Sequence, residues 1–138
     1  MAPKEASLGP GRHEARERVL GLLYESEARE LAAADLLEEL PLAPNAYAIE
    51  ALHGVESALT QIDSVIDEHA DEWTVDRLPN VDRAILRLAV WELLERHDVP
   101  AAVVIDEAVE LAKEYSTERS SGFINGVLDA AARSLREG

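Results

Sequence analysis

Two arginines and a tyrosine in the first part of the chain have the spacing of a nucleic-acid-binding strip. Arg12 and Arg16 are one helical turn apart, and Tyr24 follows about two turns later. On a helix, Tyr24 lies about 80° round and about 12 Å along the axis from Arg16. Guanidinium groups bind phosphates and an aromatic ring stacks on a base, so the strip suits a single-stranded nucleic acid. Basic residues at a helix start are also common without such a role.

The dipeptide Asn125-Gly126 stands inside a stretch that is otherwise typical of a helix. A glycine in a helix interior costs about 1 kcal/mol relative to alanine, so some other interaction should offset it. Two explanations remain open from the sequence: close packing of a neighbouring helix, or the close approach of a ligand.

Catalytic and metal-binding patterns are not found in the sequence. The chain has no cysteine, and its four histidines, at positions 13, 53, 69 and 97, match no zinc-ligand or metalloprotease motif. Carboxylates such as Glu38-Glu39 and Asp106-Glu107 are sequence neighbours, and neighbouring helical positions do not face each other. Such pairs are poorly placed for acid–base catalysis. The sequence therefore predicts a protein that is not an enzyme and has no cofactor and no metal site.

Apolar residues recur at three- and four-residue spacings along most of the chain, which predicts an all-α, compact bundle of about six to seven helices. Residues 1–11, with two prolines and two glycines, are interpreted as a flexible tail, and residues 12–138 as a single domain. The pattern predicts helices at 12–31, 33–40, 45–69, 81–93, 104–115 and 123–135, of which 81–93 is central and buried. Residues 116–122 form a polar turn in which Ser120 or Ser121 caps the last helix.

The net charge of −15 argues against a nucleic-acid partner, but the acidity is unevenly distributed. Residues 25–76 contain fourteen acidic residues and a single basic one, Arg29. Because charges are screened over about 8 Å at physiological salt, separate faces act nearly independently. No apolar run reaches signal-peptide length, so we expect no export and no membrane span, and therefore a cytoplasmic protein.

Four segments carry a more specific signal. They are residues 12–25 (RHEARERVLGLLYE), 78–93 (LPNVDRAILRLAVWEL), 99–113, which ends in IDEAVELAK, and 123–129 (FINGVLD). In their order and spacing they resemble the NusB family of transcription antitermination factors, from Arg12 to about Ala132.

The resemblance implies a helical bundle that pairs with the small-subunit ribosomal protein NusE. Such a heterodimer binds the single-stranded RNA element boxA and joins the transcribing RNA polymerase complex with other Nus factors. It thereby suppresses premature termination in ribosomal RNA operons. The resemblance also implies that Asp82, and with it Arg83, falls in the partner-facing region.

The resemblance implies RNA contacts as well. Arg12 and Arg16 match the arginine-rich start of the family's first helix, and Tyr24 and Phe123 match positions assigned to base contact. His13 and Glu14 stand where some members have further arginines, so we expect weak RNA binding by the isolated chain. Arg119 is hypothesised to restore positive charge nearby. The full set of candidate RNA-binding residues is Arg12, His13, Arg16, Tyr24, Arg119, Phe123 and Asn125.

Two other functions are compatible with parts of the pattern. NusB-like accessory domains of ribosomal RNA methyltransferases are followed by a large catalytic domain, which the sequence ending at Gly138 does not contain. An acidic helical adaptor that binds only proteins would explain residues 25–76 but not the strip on the first helix. The sequence leaves a homodimer open.

Overall fold

Seven α-helices make up most of the part of the chain that the structure describes. The computed structural model describes residues 10–71 and 73–137. The helices are α1 (Pro10–Arg29), α2 (Ala33–Glu39), α3 (Ala46–Ser57), α4 (Leu59–His69), α5 (Asn80–Glu95), α6 (Ala101–Tyr115) and α7 (Glu118–Ala132). A 3-10 turn covers Val75–Arg77, and a π-helical turn covers Arg133–Glu137. The described residues contain no strand, and the predicted all-α fold is confirmed.

Helix α5 is the centre of the bundle, as its apolar pattern predicts. It packs against α1, α3, α4, α6 and α7, and apolar side chains on several of its sides are buried. Gly54 of α3 lies so close to Trp91 of α5 that a Cβ atom at position 54 would overlap the indole ring. Neither α5 nor any other helix of the described residues is long and apolar enough to cross a membrane.

The prediction of one continuous helix over residues 45–69 is wrong. The backbone leaves the helical conformation at Ala58 (φ −107°, ψ 19°), where α3 ends and α4 begins. The bend has a packing reason, because α3 packs on α1 and α5 whereas α4 packs on α5 and α7. The apolar seam itself is retained, with Leu52, Val55, Ile62 and Ile66 all buried.

The starts of α1 and α7 also differ from the prediction. Pro10 and Gly11 belong to α1, and proline is favoured at a first helical position; the rest of the predicted tail, residues 1–9, lies outside the described residues. Helix α7 begins at Glu118, not at 123. Its cap is Thr117, whose Oγ1 accepts a 3.0 Å hydrogen bond from the backbone N–H of Ser120. Neither predicted serine is therefore the cap.

Candidate nucleic-acid interface

Arg16, the second arginine of the predicted strip, points into the protein. Its side chain is only 2% exposed, and its Nε donates hydrogen bonds to both carboxylate oxygens of Glu92 on α5, at 3.2 and 3.0 Å. One terminal nitrogen also lies 3.6 Å from the Glu107 carboxylate on α6. A phosphate contact is incompatible with this burial, because Arg16 would have to abandon a buried carboxylate. Arg16 instead ties α1 to α5 and α6.

The same network includes Tyr47 and reaches Arg12. The Tyr47 hydroxyl donates a hydrogen bond to Glu92, and burial, reinforced by that carboxylate, raises the pKa of Tyr47 far above its ordinary value. The guanidinium carbon of Arg12 lies 3.6 Å from the centroid of the Tyr47 ring. Its Nη1 is buried and has no hydrogen-bond partner among the described residues. Arg12 is thus largely engaged by an aromatic ring.

His13 lies among carboxylates and not on a basic surface. Its Nδ1 is 2.6 Å from Oε1 of Glu107, and its Nε2 is 3.4 Å from Glu114 and 3.8 Å from Glu17. The hydrogen bond with Glu107 raises the pKa of His13, with smaller contributions from the other carboxylates, while burial opposes the shift. Carboxylates repel phosphates, so these surroundings argue against an RNA contact at His13.

Tyr24 is the one aromatic residue of the predicted strip, and it is exposed. Its relative exposure is 43%, so it does not belong to the core. Tyr24 follows Glu17 by seven residues, so it lies about 20° round the axis of α1 from Glu17 and about 10 Å further along that axis. The Tyr24 ring is therefore available for stacking on the face of α1 that also carries Glu17.

A groove of about 340 Å³ lies beside the 3-10 turn and the start of α7. We call it the aromatic groove, and its lining residues are Trp73, Leu78, Pro79, Asp82, Thr117, Arg119, Ser120 and Phe123. Trp73 is 50% exposed and Phe123 is partly buried. Arg119 is exposed and makes no ion pair with any residue that the structure describes. The groove therefore combines two aromatic rings with an available cation.

Asp82 and Arg83 shape the groove from within. Asp82 is buried, and its two carboxylate oxygens accept hydrogen bonds from the hydroxyls of Ser116 and Ser120, both at 2.7 Å. These bonds hold the start of α7, which carries Arg119. Because Asp82 is buried and its oxygens are engaged internally, the structure argues against its predicted partner contact.

Arg83 holds the opposite side of the groove. It is buried, and its Nη1 donates to the carbonyl oxygens of Val75 at 3.0 Å and Leu78 at 2.9 Å. Its Nε donates to the Glu27 carboxylate at 2.9 Å. Its guanidinium is therefore also used internally, which argues against the predicted partner contact at this residue.

Asn125 and Gly126 are exposed on α7. A Cβ atom at position 126 would meet nothing within 4 Å, so helix packing within the described chain does not explain the glycine. A second cavity, of about 410 Å³, is lined by Gly126, Gly122 and His69 and shares Phe123 with the aromatic groove. Of the two explanations left open by the sequence, the approach of a ligand is the one that this geometry favours.

The comparisons with known proteins agree with the fold and with the sequence motifs. A model of the NusB family matches residues 13–133. The chain belongs to the NusB family. T. maritima NusB is similar at 38% identity over 88% of this chain and 90% of that one, with a TM-score of 0.79.

Two further NusB structures are similar. NusB in a crystal structure of antitermination factors NusB and NusE with double-stranded RNA has 30% identity, covering 89% of this chain and 96% of that chain, with a TM-score of 0.78. NusB from Aquifex aeolicus, solved in solution, has 30% identity over 91% and 90% of the two chains and a TM-score of 0.70.

In this member of the NusB family, five of the seven predicted RNA-binding residues fall into two groups. Arg12, His13 and Arg16 turn toward other helices, whereas Arg119 and Phe123 meet in the aromatic groove. Sequence reasoning missed Trp73. A signal was present, because a lone tryptophan in a polar segment that interrupts the helical period has no core to join.

Proposed function

We propose that this NusB-family protein is a transcription antitermination factor that acts by binding and not by catalysis. It binds boxA-type single-stranded RNA together with the ribosomal protein NusE. It joins the transcribing RNA polymerase complex and promotes processive transcription of ribosomal RNA operons. Family membership supports the proposal, and the relative whose crystal structure includes NusE and double-stranded RNA supports the choice of NusE and RNA as partners.

The aromatic groove is the observation that carries the proposal. Every base has a π face, so exposed rings bind single strands with little demand on sequence, and each stacked base contributes about 1–3 kcal/mol. Trp73 and Phe123 supply rings, and Arg119 supplies a charge for a neighbouring phosphate. Tyr24 offers a further stacking surface on α1, and Asn125 extends the path along α7.

Electrostatics explain why a partner is needed. Exposed cations without ion pairs among the described residues are few, and they are Arg18, Arg77, Lys113 and Arg119. Because the net charge of the chain is −15, these few cations do not offset the electrostatic repulsion between the protein and an approaching RNA. A basic ribosomal protein would be attracted by the same acidic surface and would add phosphate contacts. A tenfold gain in RNA affinity needs only about 1.4 kcal/mol of coupling.

Fluorescence anisotropy at near-physiological salt tests the proposal with a labelled boxA-type RNA and a scrambled control. We expect Phe123→Ala to weaken binding of the boxA-type RNA by about fivefold or more, the low end of the loss of one stacked base. Leu42→Ala removes a highly exposed apolar side chain outside the groove and is the matched control, with no expected effect.

The same titration with saturating NusE tests the partner. We expect at least a tenfold gain in RNA affinity, and by reciprocity RNA tightens the protein–protein complex by the same factor. Equal RNA affinities with and without NusE would contradict the partner role. No RNA binding in either case would favour the acidic adaptor.

A further inference from the structure

Three carboxylates from two helices surround one imidazole at the start of α1. His13 and Glu17 are one turn apart on α1, and Glu107 and Glu114 are about two turns apart on α6. One ligand atom from each of His13, Glu17 and Glu114 can be chosen so that all three lie within 4.8 Å of one another. Neither helix alone has a ligand motif, because the ligand residues on α1 are more than ninety residues away in the sequence from the ligand residue on α6.

The two nitrogens of His13 have different surroundings. Nδ1 is 2.6 Å from Glu107. Nε2 faces the carboxylates of Glu17 and Glu114, at 3.8 and 3.4 Å. Two carboxylates that converge on one ring nitrogen from two helices attract positive charge, which either a proton on the imidazole or a bound metal ion supplies. The three atoms converge on a position beside Nε2, which is where a metal ion would lie when bound.

The surrounding groups orient these ligands as neighbours of metal ligands do. A metal-bound histidine usually donates its other N–H to a carboxylate, and Glu107 occupies that place. The Tyr115 hydroxyl donates a 2.8 Å hydrogen bond to Glu17 and fixes the second ligand. Arg16 lies 3.6 Å from Glu107 and so helps to hold this carboxylate in place beside His13.

We propose that Nε2 of His13 and the carboxylates of Glu17 and Glu114 bind a divalent transition-metal ion of the Zn²⁺ class. In a tetrahedral site with bonds of about 2.1 Å, ligand atoms are about 3.4 Å apart, which the pair formed by His13 and Glu114 already matches. Glu114 is 45% exposed and free to close the remaining gap. Mixed imidazole and carboxylate ligands suit Zn²⁺ better than Mg²⁺ or Ca²⁺.

A bound ion would join α1 to α6 and neutralise acidic groups on the same side of α1 as Tyr24. The proposal goes beyond the proposed function and does not depend on it, since the site contains none of the residues of the aromatic groove. Its test uses no RNA, so a failure here leaves the RNA-binding proposal untouched.

Calorimetric titration of the chelator-treated full chain with ZnCl₂ at neutral pH tests the site. We expect saturable binding of one ion, with Glu114→Gln weakening it at least tenfold. Glu14→Gln is the matched control, because it removes the same charge from an exposed position next to His13 in sequence, and we expect unchanged binding. In ¹H–¹⁵N spectra of the histidine side chains, the first equivalent of Zn²⁺ should shift His13 and not the other three.

Three results would overturn the proposal. The first is the absence of saturable binding by the wild-type chain. The second is an equal loss in Glu14→Gln and Glu114→Gln, which would mean that diffuse acidity attracts the ion. The third is a Zn²⁺-dependent shift at His53, His69 or His97 in place of His13.

Discussion

The start of α1 and the aromatic groove use similar residue types for different purposes. At the start of α1, Arg16 and Tyr47 meet at Glu92 and are buried. In the groove, Arg119 and Trp73 remain exposed. The difference lies in the partners. Arg16 forms an ion pair with a buried carboxylate, whereas no carboxylate of the described chain lies within ion-pair distance of Arg119. The basic motif therefore identifies the family here, while its side chains contact other groups of the same protein.

The largest expected effect follows from breaking the buried ion pair. Arg16→Ala leaves Glu92 buried without its cation, and we expect a loss of about 3–5 kcal/mol in the free energy of unfolding. Arg18→Ala, two residues on and exposed, is the control and should change stability by less than about 0.5 kcal/mol. Urea denaturation followed by circular dichroism measures both. An Arg16→Ala protein of normal stability would contradict the structural role.

A smaller effect is expected at the internal support of the groove. Asp82→Ala removes the acceptor of two serine hydroxyls, which should lower the free energy of unfolding by about 1–3 kcal/mol. RNA affinity should fall as well, because the start of α7 loses its anchor. Asp106→Ala, on the exposed side of α6, should change neither quantity. Full RNA affinity in Asp82→Ala would show that this anchor is not needed.

Substitution of Tyr24 distinguishes a role in base stacking from a role in protein stability. Because its ring is exposed, Tyr24→Ala should lose about 1–3 kcal/mol of RNA-binding free energy with little change in melting temperature. Anisotropy titration and thermal denaturation of the same preparation measure the two quantities. A melting temperature lowered by many degrees with intact RNA affinity would show that Tyr24 belongs to the core after all.

The smallest expected effect is on the salt dependence of RNA affinity, through the loss of one phosphate contact. Arg119→Ala should flatten the dependence of log affinity on log salt by about 0.7, the value for one phosphate contact on a single strand. Arg133→Ala is the control, since Arg133 is exposed but already paired with Asp129. If Arg119→Ala leaves the slope unchanged, Arg119 does not contact a phosphate.

Much of the fold could be predicted because the apolar period is local information. The break at Ala58 could not, since the three- and four-residue spacing continues from Val55 through Leu59 to Ile62. The bend depends on which helices α3 and α4 cover, and that is decided by tertiary packing.

The candidate site was harder to predict for the same reason. The partner of Arg16 is 76 residues away, although one local signal was available. Val19 and Leu20 follow Arg16 by three and four residues, so the face of α1 that carries Arg16 is apolar. No local signal predicts the carboxylates around His13, or that Trp73 and Phe123 line the same groove.

Tryptophan fluorescence tests the central claim, that the RNA-binding surface is the aromatic groove. The chain has two tryptophans, of which Trp91 is buried and Trp73 is exposed in the groove. Titration with boxA-type RNA should quench the emission of the wild-type protein. Trp73→Phe should remove the quenching while largely retaining the affinity measured by anisotropy, because phenylalanine still stacks. Quenching that persists in Trp73→Phe, or wild-type emission that is unchanged at saturating RNA, would contradict the account.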